Sequence, residues 1–418
     1  MKRKFILIGI DDNPQPHFTQ EVLEHIRQGK VFSGGMRHHD IVRTLLPAGY
    51  EWIDITVPLD TVLVRYDRYF TQNHSPIIVF ASGDPLFFGF GNTLMREMPD
   101  AELRIYPFFN SLQLLAHRIP MRYDDMRIVS LTGRPWQGLD IALIERAAKI
   151  GVLTDRTHTP AAIAARLSEY GYTFYNMYVG EHLGNRQREK ISKLSLKEAM
   201  RTDFECPNCL ILQAKAVPPR PFGLPDEHFE HLDGRSRMIT KMPIRLLTLQ
   251  ALDLSAHHVF WDIGFCTGSV SIEARLQFPH LQVYSFEVRP ACEQLMYTNS
   301  YRFGAPGIVT LIGDFLEIDL APLPAPDAVF IGGHGGKLKE ILQKVHKVLL
   351  PGGCIVFNSV SPESRTMFEE GVRAMGMSLC PPRHIGLDDY NPITIMKAIA
   401  SADDANPIGK ALPPQPKS

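Results

Sequence analysis

Short apolar runs alternate with amphipathic stretches along most of the chain, and this alternation restricts the fold more than any other feature. Runs such as "KFILIGI" and "PIIVFAS" end in glycine or small polar residues, as buried strands do. "FTQEVLEHIRQG" has helical spacing and a terminal glycine. "TPAAIAARLSEYG" predicts a helix with Thr159 as N-cap, Pro160 at its first position and Gly171 at its end. Such alternation predicts an α/β fold with parallel sheets.

The chain is too long for one ordinary hydrophobic core, because it has 418 residues. The alternation is interrupted by "VPPRPFGLPDEHF", whose four prolines cannot continue a helix or a central strand. We therefore predict one domain over 1–215, a linker over 216–225 and a second domain over 226–400. The tail over 401–418 has few residues able to build a core, so it is predicted to be disordered.

Composition argues against several classes of protein. A net charge of −1 and a pI of about 7.0 give no sign of a nucleic-acid or membrane partner. No apolar stretch approaches the length of a membrane span, and Asp11 and Asp12 end the first apolar run too early for a signal peptide. Cys206 and Cys209 in "ECPNC" are interpreted as a turn before a strand rather than a zinc site. We expect a reduced, cytoplasmic protein without a metal site.

Strand ends in the second half suit a nucleoside cofactor, because ligands of open α/β sheets bind where strands end. The first of these strands carries Asp262. Glu287 ends the next strand roughly twenty residues on, where a carboxylate can accept hydrogen bonds from a ribose diol. Asp314 and Phe315 follow the third strand, near a possible adenine position. The loop after Asp262 comprises Gly264, Phe265, Cys266, Thr267 and Gly268.

The spacing of this loop favours S-adenosylmethionine over a dinucleotide. A G-x-G-x-x-G loop places a pyrophosphate on a helix N-terminus, whereas this loop reads G-x-x-x-G with Cys266 in the middle. S-adenosylmethionine has no phosphate, so the loop need only let the backbone approach the sugar and the methionine moiety. The pattern resembles motif I of the class I S-adenosylmethionine methyltransferases. An NAD-dependent oxidoreductase is an alternative, which the missing glycine disfavours.

A second glycine-rich loop, "FIGGHGG", follows the fourth strand of the second half. Its backbone could lie against a large flat ligand, while a flexible connection is the alternative. Each glycine adds conformational entropy to the unfolded state, which folding must overcome. Four glycines in one loop therefore argue against a merely flexible connection. His334 could donate a proton, bind substrate or be solvated, and we favour the last. The glycines are Gly332, Gly333, Gly335 and Gly336.

"DGRSRMITKMPIR", "WDIGFCTGSVSIEA", "FIGGHGG" and "LLPGGCIVFNSV" together resemble the decarboxylating precorrin C15-methyltransferases of cobalamin biosynthesis, over about 220–375. The resemblance implies a Rossmann-like class I methyltransferase domain, with Thr240 and Lys241 before its first helix. Phe265 and Cys266 replace the small residue and the glycine usual in that family. Arg235, Arg237 and Lys241 are candidates for binding substrate carboxylates, with a solvated basic turn as the alternative. The "GGHGG" loop is the candidate site for decarboxylation.

"VFASGDPLFFGFG", "FFNSLQLLAHRI", "VSLTGRPW" and "YVGEHLGNRQREK" resemble, in this order, the tetrapyrrole methylases (class III methyltransferases) of the precorrin C5-methylating type. The match covers most of 1–215 and implies a two-lobed α/β fold with S-adenosylmethionine in its cleft. Gly83, Asp84, Pro85 and the region of Asn110 and Ser111 would form part of the wall. As an isolated turn, the same segment would only begin a helix with Asp84 as N-cap.

The two patterns in this order resemble the fused, decarboxylating precorrin C5,15-methyltransferases. The resemblance implies that precorrin-6B is methylated at carbons 5 and 15 and loses carbon dioxide from its ring C acetate, giving precorrin-8X. No strong general base is required if the electron-rich ring supplies the nucleophile, since alignment and water exclusion then dominate. We expect a homo-oligomer. The alternatives are a cobalt-precorrin substrate, or a tetrapyrrole- and cofactor-binding protein with one inactive half.

Overall fold

The computed structural model describes residues 3–235, 237–388 and 392–402. These residues form two compact units. The first unit comprises the described residues up to 142, together with 147–167 and 173–217, and the second comprises 143–146, 168–172 and those from 218 onward. Most of the predicted tail, from residue 403, lies outside the described residues. In the described part of the chain, no helix is long and apolar enough to cross a bilayer.

Strands and helices alternate in both units, as the sequence predicts. The strands are β1 (Lys4–Ile10), β2 (Val31–Gly34), β3 (Glu51–Asp54), β4 (Ile77–Ser82), β5 (Glu102–Tyr106), β6 (Arg127–Ser130), β7 (Lys149–Leu153), β8 (Tyr175–Glu181), β9 (Lys190–Leu194), β10 (Asn208–Ala214), β11 (Val259–Ile263), β12 (Gln282–Glu287), β13 (Ile308–Ile312), β14 (Ala328–Ile331), β15 (Cys354–Ser359), β16 (Ser378–Leu379), β17 (Arg383–Ile385) and β18 (Ile393–Ile399). The helices are α1 (Gln20–Gln28), α2 (Met36–Val42), α3 (Asp60–Gln72), α4 (Phe90–Glu97), α5 (Ser111–Arg118), α6 (Gln137–Ile144), α7 (Pro160–Glu169), α8 (Leu196–Ala199), α9 (Met242–Leu252), α10 (Ser269–Gln277), α11 (Ala291–Phe303), α12 (Leu338–His346) and α13 (Pro362–Ala374).

The first sheet of the first unit is entirely parallel, with strand order β3–β2–β4–β1–β5. Strand β1 is buried at every position after Lys4. Phe5 and Leu7 belong to one core cluster, whereas Ile6 and Ile8 belong to another, because successive side chains point to opposite faces of a strand. A sheet covered on both faces requires such continuous apolar runs, which explains why the sequence showed no polar alternation here.

The second sheet of the first unit is mixed, with strand order β6–β7–β10–β8–β9. Only β6 and β7 are parallel among its described pairs, and the other neighbours are antiparallel. Helix α7 begins as predicted, since the hydroxyl of Thr159 accepts a hydrogen bond of 3.2 Å from the N–H of Ala162. Gly171 follows the helix with a φ of +73°, the left-handed conformation that favours glycine.

The sheet of the second unit has the order β13–β12–β11–β14–β15–β18–β16. Its first five strands are parallel, which confirms the predicted open parallel sheet. Strand β18 runs antiparallel to β15 and pairs on its other side with both β16 and β17. This antiparallel edge was not predicted from the sequence, because β16 and β17 have only two and three residues and such short strands show no periodicity.

Residues 218–225, expected within a linker, group with the second unit. Leu224 is 2% exposed, and its N–H donates a hydrogen bond of 2.9 Å to Glu273 Oε2 in α10. The fully buried Arg245 of α9 pairs with the same carboxylate at 3.2 Å and with Asp226 at 3.0 Å. Prolines exclude regular secondary structure from this segment, but the backbone and side chain of Leu224 still pack into the second unit.

This buried ion-pair cluster yields a stability prediction. Arg245→Ala would leave the buried carboxylate of Glu273 without its cation, so we expect the second unit to lose about 3–5 kcal/mol of unfolding free energy. Arg365→Ala, which removes an exposed partner of Glu369, should cost less than about 1 kcal/mol. Urea titration would follow Trp261 fluorescence with Trp52 and Trp136 replaced by Phe. Equal costs for the two substitutions would contradict this account.

Candidate active sites

The first cavity has a volume of about 510 Å³, and all of its lining residues belong to the first unit. Part of its wall follows the carboxyl ends of the parallel strands β1, β2 and β4, where ligands of such sheets bind. Thr154 and Cys209, after β7 and in β10, line it from the second sheet. The cleft expected between two lobes is therefore present within this unit.

Two glycines let the loops at this edge touch. A Cβ at Gly9 would lie 1.9 Å from the carbonyl oxygen of Gly83 and 2.6 Å from the backbone nitrogen of Phe108. Gly83 has a φ of +58°, and a Cβ there would lie 2.8 Å from the Cα of Asn110. Only glycine fits at such distances, so the end of β1 and the loops after β4 and β5 form one continuous surface.

Only some of the residues predicted to form the cofactor-binding wall line the first cavity. Gly83, Asn110 and Ser111 line the first cavity, whereas Asp84 and Pro85 do not. Asp84 Oδ1 accepts a hydrogen bond of 2.9 Å from the N–H of Leu86 and closes a turn. The alternative for an isolated turn, with Asp84 as helix N-cap, does not hold, because α4 begins only at Phe90 with Gly89 at the cap position.

Charged side chains gather at one end of the first cavity. Arg37 donates hydrogen bonds to Asp12 Oδ1 at 2.6 Å and to Ser82 Oγ at 2.8 Å. His38 Nε2 lies 2.9 Å from the same hydroxyl, and burial lowers the pKa of His38 to about 3, so the ring is neutral near pH 7. Asp11 also lines this end. Asp11 and Asp12 were not predicted as site residues from the sequence, although their position directly after a parallel strand is a signal that could have identified them.

The second cavity has a volume of about 300 Å³ and lies within the second unit. It is located at the carboxyl ends of β11, β12, β13 and β14, where the strand order reverses and ligands of doubly wound sheets bind. The structure brings together at this cavity seven of the residues that the sequence predicted: Gly264, Glu287, Asp314, Phe315, Gly333, His334 and Gly335.

Contact between two glycine-rich loops shapes this cavity. Gly264 has a φ of +80°, and a Cβ there would lie 2.6–2.8 Å from the backbone N, O and Cα atoms of Gly333. The loops after β11 and β14 therefore touch through their backbones. Cys266, the departure from the family pattern, also has a positive φ of +49°, and its N–H donates a hydrogen bond of 3.0 Å to Glu287 Oε2. The loop is thus tied to the next strand despite its missing glycine.

Glu287 is a buried acceptor at the floor of the second cavity. Besides Cys266, the backbone N–H groups of Val288 and Arg289 donate to its Oε1 at 2.9 and 3.1 Å. Asp314, at the other end, forms an ion pair of 2.7 Å with Lys337. This hydrogen-bonded pair lowers the pKa of Asp314 and raises that of Lys337. Val288, Arg289 and Lys337 line the cavity and were missed, because they follow the predicted motifs rather than occurring in them.

Several predicted cofactor residues support the loop instead of lining the cavity. Asp262 is 1% exposed and accepts a hydrogen bond from Ser271, and burial raises its pKa to about 7. Thr267 is equally buried, and its carbonyl accepts a hydrogen bond of 2.9 Å from Asn299. The predicted cofactor residues outside the cavity lining are Thr240, Asp262, Phe265, Cys266, Thr267 and Gly268.

The predicted basic residues also lie outside the second cavity lining. Arg235 and Arg237 are exposed, and Lys241 Nζ is 3.9 Å from Asp226 Oδ2. Gly332 and Gly336 flank the lining residues without joining them. His334 lines the cavity, with its ring centroid 5.8 Å from that of Phe357, and burial lowers its pKa. A neutral imidazole at this position can either accept or donate a hydrogen bond.

The sequence matches the family described as precorrin methyltransferase domain over residues 227–403. It is 31% identical over 380 residues to precorrin-6Y C(5,15)-methyltransferase (decarboxylating) of Sinorhizobium sp., a match that covers 89% of this chain and 88% of that relative. It is 40% identical over 139 residues to cobalt-precorrin-6B C(15)-methyltransferase (decarboxylating) of Salmonella typhimurium, covering 33% and 70% of the two chains. It is 27% identical over 212 residues to cobalt-precorrin-7 C(5)-methyltransferase of the same organism, covering 50% and 98%.

The contact between Gly264 and Gly333 predicts that a side chain at position 264 destabilises the second unit. Gly264→Ala should cost roughly 1–3 kcal/mol more unfolding free energy than Gly376→Ala, because the new methyl group overlaps backbone atoms. Gly376 is the matched control, since it has a φ of +72° but open space around its Cβ position. The measurement is urea titration of the second unit through Trp261 fluorescence. If both substitutions cost the same, the close approach of the two loops is not what constrains Gly264.

Proposed function

Because the chain belongs to the precorrin-6Y C(5,15)-methyltransferase (decarboxylating) family, we propose that it methylates precorrin-6B at carbons 5 and 15 and removes carbon dioxide from the ring C acetate, giving precorrin-8X. The protein is a methyltransferase, and S-adenosylmethionine supplies each methyl group as an electrophile. The electron-rich macrocycle supplies the nucleophilic carbons. The protein's part is to align the reactants and to exclude water.

We assign the two methylations to different parts of the chain. The domain over 1–215 would methylate carbon 5, and the domain over 226–400 would methylate carbon 15 and decarboxylate the ring. The single observation that carries this assignment is that each compact unit contains a cavity at the carboxyl ends of parallel strands. Relatives named for a single methylation, at carbon 5 or at carbon 15, support it.

In the second cavity, the residues present fit the adenosine part of S-adenosylmethionine. Glu287 is held by three backbone N–H groups, yet a carboxylate has about four acceptor positions and can still receive a ribose hydroxyl. Adenine would lie beside Asp314 and Phe315, and Gly264 and Gly333 let the ligand approach the backbone. Asp262, Thr267 and Gly268 do not line the cavity and would support the conformation of the loop after β11.

In the first cavity, the glycine-backed wall would hold the second S-adenosylmethionine. Gly83 and Ser111 line it, and Phe87 and the half-exposed Phe109 add apolar surface for a flat ligand. No side chain larger than hydrogen fits at Gly83, so the ligand can approach the backbone there. Asp84 and Pro85 would act only through the turn that they form.

Carboxylates of the precorrin need cations, which a chain of net charge −1 must supply locally. Arg235, Arg237 and Lys241 are our proposed contacts for them, and Lys337 at the rim of the second cavity is a further one. Decarboxylation would take place beside the loop Gly332–Gly336, in which His334 is the titratable residue. The expected homo-oligomer and cytoplasmic location stay predictions.

Separate variants in the two cavities test the assignment. The full chain is incubated with precorrin-6B and S-adenosylmethionine, and the methyl groups gained and carbon dioxide lost are counted by mass spectrometry. Glu287→Gln should slow carbon 15 methylation and decarboxylation by about 10²-fold, through loss of a charge-assisted cofactor contact, and leave carbon 5 methylation unchanged. Gly83→Ala should slow carbon 5 methylation and leave carbon 15 methylation and decarboxylation unchanged. Glu293→Gln, an exposed position in α11, is the matched control.

Equal loss of both methylations in either cavity variant would contradict the division of labour. A wild-type chain that adds no methyl group to precorrin-6B would overturn the proposed function. Turnover of the cobalt-containing precorrin alone would favour the cobalt substrate, and cofactor binding without turnover of either would favour a binding protein.

A further inference from the structure

The segment Glu181–Asn185, part of the motif "YVGEHLGNRQREK", packs against the two aspartates that follow β1. The N–H of Asp12 donates a hydrogen bond of 3.3 Å to the carbonyl of Leu183, which itself lines the first cavity. His182 Nδ1 lies 2.8 Å from Asp12 Oδ2. Gly184 has a φ of +94°, and a Cβ there would lie 2.2 Å from Asp11 Oδ2. This segment therefore sets the positions of both carboxyl groups.

Asp12 is held on both of its oxygens. Arg37 donates to Oδ1 at 2.6 Å, and His182 faces Oδ2 at 2.8 Å. The other ring nitrogen of His182 lies 3.1 Å from Glu205 Oε2, which also accepts a hydrogen bond of 2.7 Å from Arg188. Because both ring nitrogens face carboxylate oxygens, the orientation of this buried imidazole is fixed. The neighbours of Asp12 thus determine the geometry of its carboxyl group.

Asp11 has a different environment, although it is adjacent in sequence and lines the same cavity. Its Oδ1 accepts one hydrogen bond, of 3.0 Å, from the N–H of Asn13. Burial raises the pKa of Asp11, and the negative charge of Asp12 adds to that effect while Arg37 opposes it. The charged and titratable groups that face this pair are Arg37, His38, Arg118, His182 and Glu189. Two neighbouring carboxyl groups with separate environments suit separate roles, one accepting a proton and one keeping its charge.

We propose that Asp11 accepts the proton that carbon 5 loses during methylation, while Asp12, held by Arg37 and His182, stabilises the positive charge on the ring. This inference rests on the proposed function of the first unit. It adds catalytic roles for Asp11 and Asp12 and a positioning role for His182. A base of this kind need only remove a proton from an already cationic ring, so no strong base is required.

The reaction balances as follows. Carbon 5 attacks the sulfonium methyl group, a carbon–carbon bond forms, and the sulfur–methyl bond breaks with its electron pair remaining on sulfur in S-adenosylhomocysteine. The macrocycle then carries one positive charge. The hydrogen on carbon 5 leaves as a proton to Asp11, its bonding pair restores the conjugated ring, and Asp11 later releases the proton to water.

Asp11→Asn in the full chain tests the proposal. We expect carbon 5 methylation to slow by about 10²-fold, with KM for S-adenosylmethionine and the reactions at carbon 15 unchanged. The wild-type rate at carbon 5 should fall as pH falls through the raised pKa of Asp11, since only its ionised form accepts a proton. Asp11→Asn should lose this acid limb. Asp100→Asn, an exposed aspartate of the same unit, is the control and should keep both rate and pH profile.

His182 variants separate positioning from folding. His182→Phe should lower kcat at carbon 5 by about tenfold without changing KM, because the hydrogen bond to Asp12 is lost. His182→Asn, whose amide can still donate to Asp12, should recover part of that rate. The proposal is overturned if wild type methylates carbon 5 and Asp11→Asn does so at the same rate with the same acid limb. Absence of carbon 5 methylation in wild type would instead refute the proposed function.

Discussion

Backbones that touch where neighbouring parallel strands end are the constraint on which both sites depend. In the first unit Gly9 meets Gly83, and in the second Gly264 meets Gly333. Side chains would separate these loops, and the ligand-facing walls would then consist of side chains rather than backbone. The same solution therefore occurs in two sheets with different strand orders, so it reflects the geometry of parallel strand ends rather than one fold.

Once the loops touch, the carboxyl groups beside them acquire defined surroundings. Glu287 receives three backbone hydrogen bonds, whereas Asp12 receives its bonds from the side chains Arg37 and His182. A carboxylate held by N–H groups offers its remaining acceptor positions in fixed directions, which suits recognition of hydroxyl groups. A carboxylate bonded by side chains, one of them a guanidinium, is held in a fixed orientation, which suits stabilisation of a positively charged ring.

The sequence predicted what local spacing determines. Strand-to-helix alternation identified the α/β fold and the five parallel strands of the second sheet, and the regular positions of strand ends identified Gly264, Glu287 and Asp314. Local patterns could not locate His182, because its contact with Asp12 joins positions 170 residues apart. The alternative in which Asp84 caps a helix is excluded, since a turn from Asp84 to Phe87 comes before the helix begins.

Binding stoichiometry tests the central claim, that each unit holds its own S-adenosylmethionine site, most directly. Isothermal titration calorimetry of the full chain with S-adenosylhomocysteine should give two equivalents bound per chain. Binding of one equivalent per chain would contradict the account, because one of the two glycine-backed cavities would then not be a cofactor site.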